Sequence, residues 1–128
     1  MQILPYQSKG VFDVQVAYFH KATEQFGARV KTCQMDGDSM QPTIEPYQIV
    51  AVADFGNEIK TEGIYAYSCF FWGKECLFIK RVIPLGGGAL RIIHDNPHYL
   101  AFDLSPEEAS QLTIHGKVVA SMKVQRFA

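Results

Sequence analysis

Two segments carry residue types that can do covalent chemistry together. The first is Met35–Ile44, MDGDSMQPTI. Ser39 follows a Gly–Asp pair and precedes an apolar residue and a proline-limited bend, so it is expected at an exposed chain reversal. There its own N–H and that of Met40 can point at one spot, which suits a nucleophile with a backbone oxyanion hole. Taken alone, the segment is more simply an Asp/Ser turn, and it lacks the second glycine of a hydrolase nucleophile elbow. The second segment is Cys76–Leu85, CLFIKRVIPL. In a strand, Lys80 shares a face with Phe78 and Val82, and Arg81 shares the other with Ile79 and Ile83. Burial disfavours an ammonium, so Lys80 can serve as a general base; snorkelling is the commoner fate of such a lysine. Arg81 cannot be a base, because guanidinium stays protonated. Spacing alone leaves a histidine partner for Ser39 open.

The remaining candidates read as structural. His94 and His98 are four apart, but Pro97 breaks the helix that would align them on a metal. They are expected as loop histidines, and His20 and His115 have no partner at motif distance. Gly86–Gly88 is followed by no Gly-Lys-Ser/Thr and is not a phosphate loop. Ser105 reads as a helix N-cap, and Asp36 and Asp38 as turn residues. Lys74 and Lys117 adjoin glycines in expected turns and should stay solvated. Cys33, Cys69 and Cys76 are odd in number and include no C-x-x-C pair, although Cys69 and Cys76 can face each other across a hairpin. Buried thiols in a reducing compartment are the expectation. No metal and no cofactor is expected.

The elements that would position Ser39 and Lys80 are mostly strands. Residues 11–26 carry apolar positions at three-to-four spacing before Gly27, which predicts a helix, although Val11 to Val16 also suit the start of a strand. Strands are predicted at Arg29–Met35, Ile49–Asp54 and Ala89–Ile93. Gly63–Cys69 and Glu75–Leu85 form a predicted hairpin that reverses near Trp72–Gly73–Lys74. Ser105-Pro106-Glu107-Glu108 is a capping box with proline at the first helical position. Leu112–Phe127 is one long strand or two broken ones. The expected fold is mostly β, after one short N-terminal helix in a segment 1–28.

The chain has 128 residues, 48% hydrophobic and 20% charged, with 12 Lys+Arg against 13 Asp+Glu. That is one ordinary globular domain without the basic footprint of a nucleic-acid or membrane-binding surface. Neither a signal peptide nor a membrane span is visible, so a soluble cytoplasmic protein is expected.

The motifs resemble a known family. Gly37-Asp38-Ser39-Met40-Gln41-Pro42-Thr43-Ile44 is similar to the G-D-S-M-x-P-T nucleophile motif of the LexA/phage-repressor family of self-cleaving serine peptidases. Ile79-Lys80-Arg81-Val82 resembles that family's V-K-R strand, which carries the lysine of a Ser–Lys dyad. Ile49–Asp54, Gly63-Ile64-Tyr65, Asp95-Asn96-Pro97-His98-Tyr99 and Gly116-Lys117-Val118-Val119 resemble further family segments in the right order. The likeness covers residues 29 to about 127. It implies a LexA/signal-peptidase-like bent β-sheet domain over residues 29–128, Ser39 as nucleophile, Lys80 as base, and the N–H groups of Ser39 and Met40 as oxyanion hole.

The resemblance also implies the C-terminal regulatory domain of a phage-type or SOS-type transcriptional repressor. Such a domain forms a homodimer, takes a RecA filament as activator, and meets DNA only through an upstream head. Two other roles fit the same residues: a non-catalytic dimerisation module, and a UmuD-like accessory subunit of a translesion polymerase. Three departures stand out. Glu45-Pro46-Tyr47-Gln48 replaces the family's glycine-containing turn. Phe70, Phe71 and Trp72 occupy a normally polar hairpin tip and are expected to fold back and line a cleft. The Ala–Gly or Cys–Gly bond that relatives cut is missing from the sequence. Either the chain begins after that site or the site is lost, and in neither case should the chain cut itself.

Overall fold

The structure is a computed structural model that describes residues 20–21, 30–54, 58–123, 125 and 127. The strands are β1 (His20–Lys21), β2 (Val30–Gln34), β3 (Ile49–Ala53), β4 (Gly63–Phe71), β5 (Lys74–Gly86), β6 (Ala89–Ile93), β7 (Phe102–Leu104) and β8 (Thr113–Met122). A single helical turn, α1 (Pro106–Ala109), lies between β7 and β8. The strands form one antiparallel sheet in the order β1-β2-β3-β8-β4-β5-β6-β7, so the fold is mostly β. The last strand therefore threads the middle of the sheet, between β3 and β4.

The helix predicted over 11–26 does not hold at its described residues. His20 and Lys21 pair with Thr32 and Lys31 as a strand, and the rest of that segment lies outside the described residues. The edge of β2 supplies the pairing for His20 and Lys21, which periodicity cannot foresee. The short β7 has no sequence signal, because three residues give too little alternation to read.

The β4–β5 hairpin is buried on both faces. One face packs Ala66, Leu77 and Ile79 with Cys33, Val50 and Val52, and with Met35, Met40 and Ile44 from the β2–β3 connection. The other packs Tyr65, Tyr67 and Val82 with Leu90 and Ile92. Register shifts in the β3–β8, β4–β8 and β5–β6 pairings bend the sheet locally. At the β8 irregularity Gly116 has a φ of 153°, and a Cβ there would collide with the Ala53 carbonyl. Only glycine lets the backbones of β3 and β8 approach so closely.

The hairpin turns through two residues, since Phe71 pairs with Lys74. Trp72 and Gly73 have φ of 53° and 78°, which is the type I′ pattern. The aromatic tip does not fold back: Trp72 is 82% exposed and Phe70 is also exposed. A turn this tight leaves the Trp72 side chain outside the sheet, where it packs on its neighbour Phe71. Ser105 caps α1 with both hydrogen bonds of a capping box, as its sequence predicts. Among the described residues no helix is long and apolar enough to cross a membrane.

Candidate functional site

The β2–β3 connection, residues 35–48, carries Ser39. Its anchors are apolar: Met35, Met40 and Ile44 are buried in the first core. Backbone bonds close its base, from Met35 N–H to the Gln48 carbonyl at 2.7 Å and from Tyr47 N–H to the Met35 carbonyl at 2.8 Å. Tyr47 has a φ of 70°, so a tyrosine holds a left-handed position that glycine usually fills. The glycine missing from this turn has thus not cost the chain the turn itself; a non-glycine residue there costs about 1 kcal/mol or more.

Lys80 lies in the middle of β5, opposite Tyr65 of β4. Its Nζ is 2.7 Å from Ser39 Oγ. Ser39 is 5% exposed and Lys80 7%, so the serine is buried rather than displayed at an open reversal. The connection folds against the sheet because Met40, next in sequence, is wholly buried, and that draws Ser39 inward. Among the described residues no histidine takes the place of Lys80 beside Ser39.

The segment after β6 grips this connection. Arg81, adjacent to Lys80, makes a two-pronged ion pair with Asp95 at 2.8 Å for both bonds. Asp95 also accepts from Thr43 Oγ1. The Arg81 and Thr43 donors hold the Asp95 carboxyl below the usual carboxylate range, against a smaller effect of burial. The buried Asn96 donates Nδ2–H to the Asp38 carbonyl at 2.9 Å and its backbone N–H to the Ser39 carbonyl at 3.0 Å. Its Oδ1 accepts from His98 N–H, and Tyr99 donates its hydroxyl to Asp38 Oδ1 at 2.6 Å. Arg81, Asp95, Asn96 and Tyr99 therefore tie the serine connection to the lysine strand. The sequence shows the turn but not this role, since nothing in a D-N-P-H-Y string says which loop it meets.

The other histidines divide. His98 is exposed, as a loop histidine should be. His94 is only half-buried, its Nδ1 is buried without a partner, and its ring lies 5.3 Å from that of Tyr99. Burial and then the nearby Lys80 charge push its pKa down. His115 has no partner at motif distance in the sequence, yet its Nε2 is 2.9 Å from the Oγ of Ser68, which also donates to Glu75 Oε2 at 2.9 Å. The hairpin register holds the signal: Ser68 pairs with Leu77, which puts Glu75 two residues along on the same face. Lys117 lies in β8 rather than in a turn, and its Nζ donates to Thr61.

Cys69 and Cys76 are register partners, as the hairpin allows, and among the described residues none of the three cysteines forms a disulfide. Cys33 and Cys76 are buried and Cys69 is half-buried; burial pushes the Cys33 pKa up to about 12. Among the described residues no group of three side chains could hold a metal ion. A cavity of about 700 Å³ opens between Pro84, Leu90 and the Pro106–Leu112 segment, and neither Ser39 nor Lys80 lines it.

A bent antiparallel sheet with a buried serine and lysine in contact defines the class as a LexA/phage-repressor-type C-terminal domain. The chain belongs to the Peptidase S24-like family, whose model matches residues 6–119. No curated protein and no solved structure matches it.

Proposed function

We propose that this chain is the regulatory, peptidase-like domain of a phage-type or SOS-type repressor and that Ser39 and Lys80 form its dyad. The observation that carries the reading is the 2.7 Å contact between Lys80 Nζ and Ser39 Oγ, with both side chains buried. In the reaction, neutral Lys80 takes the Ser39 proton as Oγ attacks a peptide carbonyl carbon. The N–H groups of Ser39 and Met40 receive the oxygen that gains charge, and Lys80 returns the proton to the leaving amine. The family membership supports dimerisation, a separate DNA-binding head and activation by a RecA filament as further parts of the same reading.

A fluorophosphonate probe tests the dyad on the chain itself. Ser39 Oγ forms a bond to phosphorus, fluoride leaves, and Lys80 takes the proton. Labelling is expected to rise with pH until the lysine has lost its proton. Equal labelling of wild type, Ser39→Ala and Lys80→Ala would overturn the assignment. Joined to a DNA-binding head through an Ala–Gly bond, the chain should release that head at alkaline pH.

A further inference from the structure

Asn96 makes two contacts with consecutive peptide units of the serine connection. Its side chain holds the Asp38 carbonyl and its backbone N–H holds the Ser39 carbonyl. In a trans peptide the C=O and the following N–H point in opposite directions. Drawing the Asp38 carbonyl toward Asn96 therefore turns the Ser39 N–H away from it. Drawing the Ser39 carbonyl the same way turns the Met40 N–H away too. Among the described residues neither N–H donates to a backbone acceptor. Two adjacent donors on buried residues beside the Ser39 hydroxyl, without a backbone partner, are left for an acceptor that enters there.

We infer that Asn96 is a positioning residue that builds the oxyanion hole, by fixing the two peptide units whose N–H groups must meet the developing negative charge. This rests on the Ser39–Lys80 reading. Asn96 is itself held from three sides. It is buried, its Oδ1 is fixed by the His98 N–H, and its neighbour Asp95 is locked to Arg81 and Thr43. Asp38, whose carbonyl it holds, is fixed at its side chain by Tyr99. Preorganised donors of this kind need no rearrangement when charge appears, and that is the source of their effect.

The test compares wild type with Asn96→Ala and Asn96→Asp. Asn96→Asp keeps the acceptor for His98 N–H and replaces the donor to Asp38 with a carboxylate oxygen that repels the Asp38 carbonyl, so it serves for the vector readout if the alanine variant fails to fold. One readout is the limiting rate of fluorophosphonate labelling against pH. Loss of a fixed oxyanion donor predicts a limiting rate about 10- to 100-fold lower. The pH midpoint in Asn96→Ala should not move, because Lys80 is untouched. The second readout is the orientation of the Ser39 and Met40 N–H vectors from residual dipolar couplings. The inference expects the Ser39 vector to turn or lose its order in both variants. Unchanged vectors, or turned vectors with an unchanged labelling rate, would overturn it. Turned vectors in a chain whose wild type never labels would keep the positioning role and remove the dyad reading.

Discussion

Ser39 and Ser68 are both buried serines with a nitrogen base against the hydroxyl, Lys80 at 2.7 Å and His115 at 2.9 Å. By residue type the Ser68 cluster is closer to a hydrolase triad, since it adds a carboxylate, Glu75. Its geometry says otherwise. The Ser68 hydroxyl donates to Glu75 directly, so the carboxylate takes the proton instead of orienting the histidine. Ser68 also lies within β4, between Leu77 of β5 and Thr113 of β8, where its backbone serves the sheet ladders. A backbone committed to two ladders offers no oxyanion donors, and Ser68 has no exposed surface. Ser39 lies in a connection, where the backbone is held by Asn96 instead of by a sheet. On the proposed reading, what separates the reactive serine from the structural one is the state of the backbone around it, more than the base beside it.

The largest expected effect is on labelling. Ser39→Ala should abolish reaction with the fluorophosphonate, and Ser68→Ala should leave its rate within about twofold. A probe found on Ser68 by peptide mass mapping would reverse the comparison. Stability should rank the two serines the other way. Ser68→Ala strips a partner from both Glu75 and His115 in a half-buried setting. Such orphaned groups cost about 1–3 kcal/mol, so its midpoint in urea should fall clearly. Ser39→Ala removes the single side-chain bond to Lys80 and should cost less. Equal losses would mean that the Ser68 cluster is not structural.

The strands are legible because their signals are local. Ile49–Ala53 and Ala89–Ile93 are short apolar runs between turns, and the Trp72–Gly73 reversal follows from two strands meeting at a glycine. Lys80 stands out as a charge among apolar neighbours in an interior strand, whereas Ser39 reads locally as an exposed turn residue and only the family resemblance pairs the two. What the sequence hides is non-local. The Asn96 contacts with Asp38 span 58 residues and the Ser68–His115 contact spans 47. Pairing across such distances depends on β8 entering between β3 and β4, and no periodicity encodes strand order. The exposed tip misleads for a different reason. Three adjacent aromatics suggest burial, but a two-residue turn has no room to return them to the sheet.

A smaller effect separates the two regions by pH. The Asp95 pKa is lowered first by the Arg81 hydrogen bonds, so the charged form stabilises the folded state. That stability is present above the ordinary carboxylate range and is lost as pH falls through the lowered folded value. Asp95→Asn should therefore cost about 1–2 kcal/mol near neutral pH, discounted because Arg81 is partly exposed, and much less in strong acid. Denaturation midpoints against pH measure this. A penalty that stays constant far into the acid range would show that the charge on Asp95 is not what ties the serine connection to β5.

The smallest effect lies in the other cluster. Burial lowers the His115 pKa and the Lys31 charge lowers it further, while Glu75 opposes both. The sign is fixed by the direction. A histidine with a lowered folded value stabilises the fold above its ordinary value of about 6.5, and that stability is lost as pH falls through the folded value. The Ser68 cluster should therefore weaken at a milder pH than the Ser39 connection. His94, also lowered, acts in the same window, so the slope belongs to His115 only if a variant removes it. His115→Gln keeps an amide donor for Ser68 and cannot titrate. It should flatten part of the stability slope that begins as pH falls below the ordinary histidine value of about 6.5 and leave the Asp95 transition in place. An unchanged slope would assign the window to His94, and with it to the neighbourhood of the dyad.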